Sequence, residues 1–306
     1  MDSCCAGSPT ELMLGAKTRP SALTVISKAP QAEVEFITIP AGPFAFGSND
    51  PDANPLDNEG PIREVELREF EISSTPITNA QFSQFVAETG YVTEAEENSW
   101  SFVFQLLVSD EAEVIGESQG APWWLGVKGA SWRNPFGDKA SYLDLLDHPA
   151  VHISYQDALA FCNWSKTSLP DELQWEKAAR GGLVSNRYPW GNELLAGGQW
   201  QCNIFQGEFP THNTEEDGFV GTSPVKSFGP NGYGGYDFSG NVWEWTTTDF
   251  APPESLFAGP ALKVTRGGSY LCHDSYCNRY RVGARNRTPV DSLAGNIGFR
   301  VVRSVA

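Results

Sequence analysis

Residues 148–182 read HPAVHISYQDALAFCNWSKTSLPDELQWEKAARGG, and this stretch predicts two helices in succession. Ser154 and Asp157 form an S-x-x-D capping box, in which each side chain accepts a hydrogen bond from the backbone of the other residue at the start of a helix. Asp171 is placed to cap the second helix, with Gln174 three residues later. A glycine pair follows that helix and supplies a stop signal.

The chain on either side of these helices is dominated by turns and short strands. Phe36, Ile37 and Ile39 lie just before a proline, which predicts a strand, and the mixed alternation across residues 65–72 predicts another. Thr78 is expected to cap a further helix that Gly90 ends. We find no internal repeat and no low-complexity linker.

These patterns favour one α+β domain with little regular secondary structure. Residues 1–33 show no helical or strand period and are interrupted by Pro20 and Pro30, so we expect a flexible leader there. The domain itself is expected over residues 34–306.

Composition excludes several classes of protein. The 306 residues carry 21 Lys and Arg against 38 Asp and Glu, a net charge of −17, whereas proteins that bind nucleic acid phosphates usually present basic surfaces. With 40% hydrophobic residues the chain is not disordered, and no apolar run approaches the about 18 residues that span a bilayer. The first 20 residues lack the basic segment followed by an apolar segment that is typical of a signal sequence. We therefore expect a cytoplasmic protein without membrane or nucleic acid partners.

An acidic stretch near the start of the domain resembles a calcium loop but fails in detail. Asp50, Asp52 and Asn54 imitate the first ligands of an EF-hand. Pro55 and Pro61 stand where that loop requires Gly and Glu, so we reject the motif and expect a solvated loop. Phosphate-binding glycine loops and the zinc motif HExxH are also absent from the sequence.

The segment with the clearest chemical signal is RGGSYLCHDSYCNRYRVGAR, residues 266–285. It holds Cys272 and Cys277 among four arginines. Three interpretations stay open from these residues alone. The cysteines are core residues or a disulfide, or half of a zinc site, or a reactive pair whose thiolates nearby cations favour. Two thiolates form a soft site of low coordination number that suits Cu(I).

This segment resembles the active-site region of the formylglycine-generating enzymes, also called sulfatase-modifying factors. The resemblance extends in family order over some 270 residues, in stretches at 39–48, 78–86, 90–96, 121–124, 148–158, 169–182, 188–194, 203–210, 216–225, 231–245 and 296–300. It implies the formylglycine-generating-enzyme fold, within the C-type-lectin-like superfamily. Cysteine-lacking paralogues and iron-dependent sulfoxide synthases of that superfamily would not carry the cysteine pair.

The resemblance implies a copper-dependent oxidase. Such an enzyme uses O2 to convert a cysteine in a C-x-P-x-R motif of an unfolded or nascent sulfatase polypeptide to Cα-formylglycine. Cys272 and Cys277 would hold Cu(I), and Ser269 would form hydrogen bonds near the reacting atoms. His273 and Tyr276 are expected to be pocket walls. The alternative is a non-catalytic peptide-binding or regulatory member of the same fold.

The family pattern also implies two structural Ca2+ sites, which suit mixed carboxylate, amide and carbonyl oxygens. The first set consists of Asn203, Asp217 and the carbonyls of Ile204 and Phe219. The second set consists of Asp237, Glu244 and the carbonyls of Gly240 and Val242.

Trp123 and Trp124 are predicted to wall a substrate groove. Adjacent side chains of an extended segment point to opposite faces, so at least one of the two should reach a surface or a pocket. The alternative is that both tryptophans pack in the core. The resemblance implies no disulfide partner for Cys162 or Cys202, so we expect both to be free thiols.

Overall fold

Short strands and short helices alternate along the chain in a computed structural model that describes residues 32–137, 141–250 and 261–305. The leader predicted at residues 1–33 lies almost entirely outside the described residues. The helices are α1 (Asn79–Thr89), α2 (Glu94–Asn98), α3 (Tyr155–Ser165) and α4 (Glu172–Arg180). The strands are β1 (Phe36–Ile39), β2 (Gly42–Phe46), β3 (Arg63–Leu67), β4 (Phe70–Ser73), β5 (Trp100–Phe104), β6 (Val114–Ser118), β7 (Ala121–Lys128), β8 (Gly207–Glu208), β9 (His212–Asn213), β10 (Trp243–Asp249), β11 (Leu262–Arg266), β12 (Asn286–Pro289), β13 (Ile297–Gly298) and β14 (Val302–Ser304).

The three helices predicted from capping signals form where expected. At α3, Ser154 Oγ accepts from the N–H of Asp157 at 3.1 Å, and Asp157 Oδ2 accepts from the N–H of Ser154 at 2.9 Å. Asp171 and Gln174 form the equivalent pair at α4. Within the described ranges, no helix has the length and apolar character needed to cross a membrane.

An aromatic core lies between α1 and α3. Phe82 of α1 stacks on Phe161 of α3 with ring centroids 6.0 Å apart, and Phe85 meets Phe161 edge-on at 5.6 Å. Cys162 lies in the same core, and burial raises the pKa of its thiol to about 12. Both Cys162 and Cys202 are buried and free, as expected.

The strand predicted across residues 65–72 is two strands. β3 pairs with β2, whereas β4 lies between β1 and β14 in a different sheet. The alternation changes phase at Arg68 and Glu69, and the two halves have different hydrogen-bonding partners, which the pattern does not identify. The four-stranded sheet β12-β11-β10-β13 lies next to the cysteine segment, since that segment leaves from the end of β11.

The acidic stretch near residue 57 is not a fully solvated loop, and that expectation was wrong for two of its carboxylates. Asp57 and Glu59 are 2% and 3% exposed. Asp57 accepts from Arg279, and Glu59 makes a two-bond pair with Arg281 at 2.7 and 2.8 Å. Arginines that lie 222 residues later in the chain therefore compensate these charges.

Candidate active site

The cysteine segment begins with a sharp turn at the end of β11. Gly267 and Gly268 have φ angles of +93° and +76°, in the region that favours glycine. A Cβ on Gly268 would lie 3.0 Å from Cα of Tyr280, so the start and end of the segment approach each other closely. The segment is therefore a tight loop folded back on itself.

The loop brings the two predicted cysteines together. Their Sγ atoms are 3.0 Å apart, and each residue is 1% exposed. The separation is longer than a disulfide bond of about 2.05 Å, so the two sulfurs are not bonded to each other. The N–H of Cys277 donates to the carbonyl of His273 at 2.7 Å, which closes the turn between the two sulfurs.

Such a pair offers two soft donors within one buried site. Two thiolates are ligands that select Cu(I) over hard cations. Arg279 lies beside the pair, with Nη1 3.9 Å from Cys277 Sγ. The donor set and its cationic neighbour fit a Cu(I) centre.

Ser269 is buried next to the cysteines and has a fixed orientation. Its Oγ accepts from Asn296 Nδ2 at 3.0 Å and from the N–H of Leu271 at 3.3 Å. The N–H of Cys272 donates to the Ser269 carbonyl at 2.9 Å. Because two donors occupy the hydroxyl oxygen, its proton is free to point at a further acceptor. Asn296 was not predicted as a site residue, although it begins the NIGFR stretch.

A partly buried aromatic cluster lies beside the cysteine loop. Tyr276 stacks on Phe209 with ring centroids 4.6 Å apart, and Trp123 meets both rings edge-on at 5.0 and 5.3 Å. Trp123 and Tyr276 were predicted as walls of a groove, and the structure places them together. Phe209 was missed, because only the fold brings it from residue 209 to the loop.

Trp124 does not share this surface. It is fully buried and packs edge-on against Phe104 at 6.2 Å, on the opposite face of β7 from Trp123. The prediction that Trp124 forms part of a groove wall is therefore wrong. Trp123 packs against the core but is only partly buried, so one of the two tryptophans reaches the surface, as expected.

His273 lies near the aromatic cluster, because Phe205 contacts both its ring and that of Phe209. Its ring is partly buried and meets Phe205 edge-on at 6.1 Å, and its Nδ1 lies 2.7 Å from Ser275 Oγ. A cavity of about 220 Å3 adjoins it, with Trp200 and Tyr280 among its lining residues. The predicted role as a pocket wall is consistent with this position.

The first predicted calcium set comes together around Asp217. The N–H groups of Ile204 and Phe219 donate to its two carboxylate oxygens at 2.9 and 3.0 Å. Burial raises the pKa of Asp217 above its ordinary value. Asn203 Oδ1 is buried and accepts no hydrogen bond from any described residue. An orphaned amide oxygen near a partly buried carboxylate and backbone carbonyls fits a hard cation.

The second predicted set is adjacent, because Asn203 and Gly240 form a backbone bridge. Burial, with the nearby Glu244, raises the pKa of Asp237 to about 6. Glu244, however, is already bound by Arg300 through two hydrogen bonds of 2.6 and 2.7 Å. Trp175 Nε1 also donates to it. Asp237 is therefore the only carboxylate of this set without a compensating arginine bond, and the fit to a divalent cation is weaker than at Asn203.

The chain is similar to known proteins over most of its length. The family model described as sulfatase-modifying factor enzyme 1-like domain matches residues 22–305. The formylglycine-generating enzyme of Streptomyces coelicolor is 50% identical over 281 residues, covering 89% of this chain and 90% of that protein. A Bos taurus protein named Inactive C-alpha-formylglycine-generating enzyme 2 is 43% identical over 272 residues, covering 87% of each chain.

Among solved structures, PvdO from Pseudomonas aeruginosa superimposes with a TM-score of 0.63 at 22% identity, covering 94% of this chain and 100% of that chain. At that identity the likeness shows the fold alone, and it agrees with the predicted α+β domain. The family model covers most of the chain, and the Streptomyces relative is half identical to it. The chain therefore belongs to the sulfatase-modifying factor enzyme 1-like family.

Proposed function

We propose that this protein is a formylglycine-generating oxidase, which uses O2 to convert a cysteine in a C-x-P-x-R motif of a sulfatase polypeptide to Cα-formylglycine. The observation that carries the proposal is the pair of buried cysteines, Cys272 and Cys277, whose Sγ atoms are 3.0 Å apart. Identity alone does not decide between an active and an inactive member, because a relative with an inactive name is also closely similar. The thiol pair favours the active interpretation.

Cys272 and Cys277 would together hold Cu(I). Removal of hydrogen from the carbon beside a substrate sulfur by O2 requires a redox centre, and copper would supply it when bound. Both sulfurs are 1% exposed, so the site is shielded from bulk water. Shielding strengthens the electrostatic interactions within such a site.

Ser269 and Asn296 are proposed to orient the reacting groups. Asn296 Nδ2 donates to Ser269 Oγ, which leaves the serine proton for an acceptor in the site. A substrate sulfur or an oxygen atom beside the cysteines would be such an acceptor. In this role Ser269 donates a hydrogen bond and Asn296 fixes the direction of that bond.

The cluster of Trp123, Phe209 and Tyr276 is proposed to bind the substrate backbone and the motif proline. Rigid aromatic side chains bury a large area and lose little conformational entropy on binding. The cluster touches the cysteine loop through Tyr276, one residue before Cys277. The net charge of −17 would attract the motif arginine, although salt screens that attraction beyond about 10 Å.

The substrate would have to present an extended segment, so an unfolded or nascent sulfatase is the proposed partner, in the cytoplasm. Ca2+ is proposed to stabilise the glycine-rich loops without taking part in the chemistry. Asn203, Asp217 and the carbonyls of Ile204 and Phe219 would hold one ion. A second ion at Asp237, Gly240, Val242 and Glu244 would bind more weakly, because Arg300 already neutralises Glu244.

A peptide assay tests the proposed function directly. A synthetic C-x-P-x-R peptide is incubated in air with copper-loaded protein and a thiol reductant, which supplies the two further electrons that reduction of O2 to water requires, and is examined by mass spectrometry. The oxidase should remove hydrogen sulfide from the peptide and add one oxygen atom, and an aldehyde-reactive probe should label the product. The matched control is the same peptide with serine in place of cysteine. A peptide that binds but leaves unchanged would identify the non-catalytic alternative.

A further inference from the structure

The loop that ends in the buried Asp57 reaches the cysteine segment from the other end of the chain. A short 3-10 helix at Pro55–Asp57 carries this carboxylate, and the side chain of Asn54 caps that turn. Arg285 Nη1 donates to the backbone carbonyl of Asp57 at 3.0 Å, which holds the loop against the segment. Asp57 is thereby fixed in both backbone and side chain.

Arg279 connects this carboxylate to one of the cysteines. Its Nε donates to Asp57 Oδ2 at 2.5 Å, and its Nη1 lies 3.9 Å from Cys277 Sγ. A guanidinium is planar, so fixing Nε on a carboxylate also fixes the direction of Nη1. Asp57 therefore determines how Arg279 points at the sulfur.

The negative charge of a copper-loaded site would require a compensating cation such as Arg279. Two thiolates with one monovalent cation carry a net negative charge, and buried charge is costly without a compensating partner. Arg279 is 9% exposed and is the cation that contacts Cys277 Sγ at 3.9 Å. Groups that orient metal ligands from outside the coordination sphere commonly tune metal affinity.

We propose that Arg279, aimed by Asp57, is a positioning residue that fixes Cys277 Sγ and stabilises its negative charge for Cu(I) binding. The inference rests on the proposed function for its metal, but the contact between Arg279 and the sulfur exists without the metal. The role of Arg279 can therefore be measured separately from turnover.

The same two segments contain a matched control. Glu59 and Arg281 form a pair at 2.7 and 2.8 Å, with side chains only 0% and 2% exposed. This pair joins the same two segments two residues away from Asp57 and Arg279. Removing one partner should destabilise the fold at least as much, because the pair is more deeply buried. The structure shows no contact between Arg281 and either sulfur among the described residues.

The experiment compares Asp57→Asn with Glu59→Gln in full-length protein. Cu(I) affinity is measured by competition with a chromophoric chelator, and unfolding is followed in the same samples. We expect Asp57→Asn to weaken Cu(I) binding by about tenfold or more, as for other groups that orient metal ligands, and Glu59→Gln to leave it nearly unchanged. Arg279→Lys keeps the positive charge but loses the planar guanidinium that contacts Asp57 and Cys277 together. This variant should therefore weaken Cu(I) binding as Asp57→Asn does.

A second readout needs no copper. Metal-free protein is treated with a small methanethiolating reagent, and modification of each cysteine is followed by peptide mass spectrometry. In Asp57→Asn and Arg279→Lys, the rate at Cys277 should fall relative to Cys272, and in Glu59→Gln the ratio should not change. Wild-type protein that binds no Cu(I) would refute the copper assignment, whereas the modification ratio would still decide the role of Arg279. Equal effects of Asp57→Asn and Glu59→Gln on both readouts would overturn the inference.

Discussion

Trp123 and Trp124 are adjacent residues with opposite environments, and this contrast makes a sharp prediction. Trp123→Ala should raise KM for a C-x-P-x-R peptide while leaving Cu(I) affinity and most of the stability intact. Trp124→Ala should mainly destabilise the protein. The reason is that one ring belongs to the aromatic cluster beside Tyr276, whereas the other is buried against Phe104.

The structure sets the magnitudes. Trp123 takes part in two edge-on aromatic pairs, each worth about 0.5–1.5 kcal/mol, so its removal should lower stability by about 1–3 kcal/mol. Trp124 is 0% exposed, and truncation of a buried tryptophan costs about 3–5 kcal/mol. Loss of one aromatic wall from the peptide site should raise KM by about tenfold, which corresponds to about 1.4 kcal/mol.

Steady-state kinetics of the folded fraction, together with urea unfolding, separate these effects. A rise in KM with unchanged kcat is the signature of lost substrate binding. Trp123→Phe should recover part of the affinity, because an aromatic face remains. If Trp123→Ala loses stability but keeps its KM, the tryptophan belongs to the core and the proposed peptide site is wrong.

Three further predictions concern the metals and pH. Cys272→Ser or Cys277→Ser should abolish Cu(I) binding and turnover, and full activity of either variant would exclude the copper site. Thorough chelation should lower Tm, since a bound ion stabilises only the folded state, and Asn203→Leu should remove this sensitivity; an unchanged Tm counts against calcium. Burial lowers the pKa of His152 from 6.5 to about 4. As the pH falls, His152 is therefore protonated in the unfolded chain before it is protonated in the folded protein. The contribution of neutral His152 to the free energy of unfolding is complete above pH 6.5, and about 3 kcal/mol is lost as the pH falls towards 4. Asp157, whose pKa burial raises from 3.8 to about 6, acts in the opposite direction over nearly the same range, as do Asp217 and Asp237, so the difference between wild type and His152→Asn, and not the wild-type curve alone, should reveal the effect in urea titrations.

Local signals predicted the helices well for a physical reason. A capping box involves residues three apart, so the local sequence is enough to recognise the pairs Ser154–Asp157 and Asp171–Gln174. Strand pairing is not local, and the alternation across residues 65–72 could not show that β3 and β4 join different sheets.

The candidate site was predictable where one segment of sequence contains it. Cys272, Cys277 and Ser269 lie within eight residues of one another, and the loop folds on itself. Phe209, Asn296 and Asp57 reach the site only through the fold, and no local pattern identifies them. An acidic residue in a polar stretch indicates solvent, and only the structure shows that an arginine far along the chain neutralises Asp57.

Buried charge pairs hold the cysteine loop at both of its ends, and this explains how a domain with short strands keeps a rigid site. Arg266, the last residue of β11, is bound by Glu176 at 2.5 Å, and both residues are fully buried. At the other end, Arg281 is bound by Glu59. Replacing such pairs with apolar residues often costs nothing in stability, whereas breaking one leaves an uncompensated charge and costs about 3–5 kcal/mol. Their value is therefore positional: a shift of either end of the loop would separate paired charges, so the two sulfurs between those ends are confined to one arrangement.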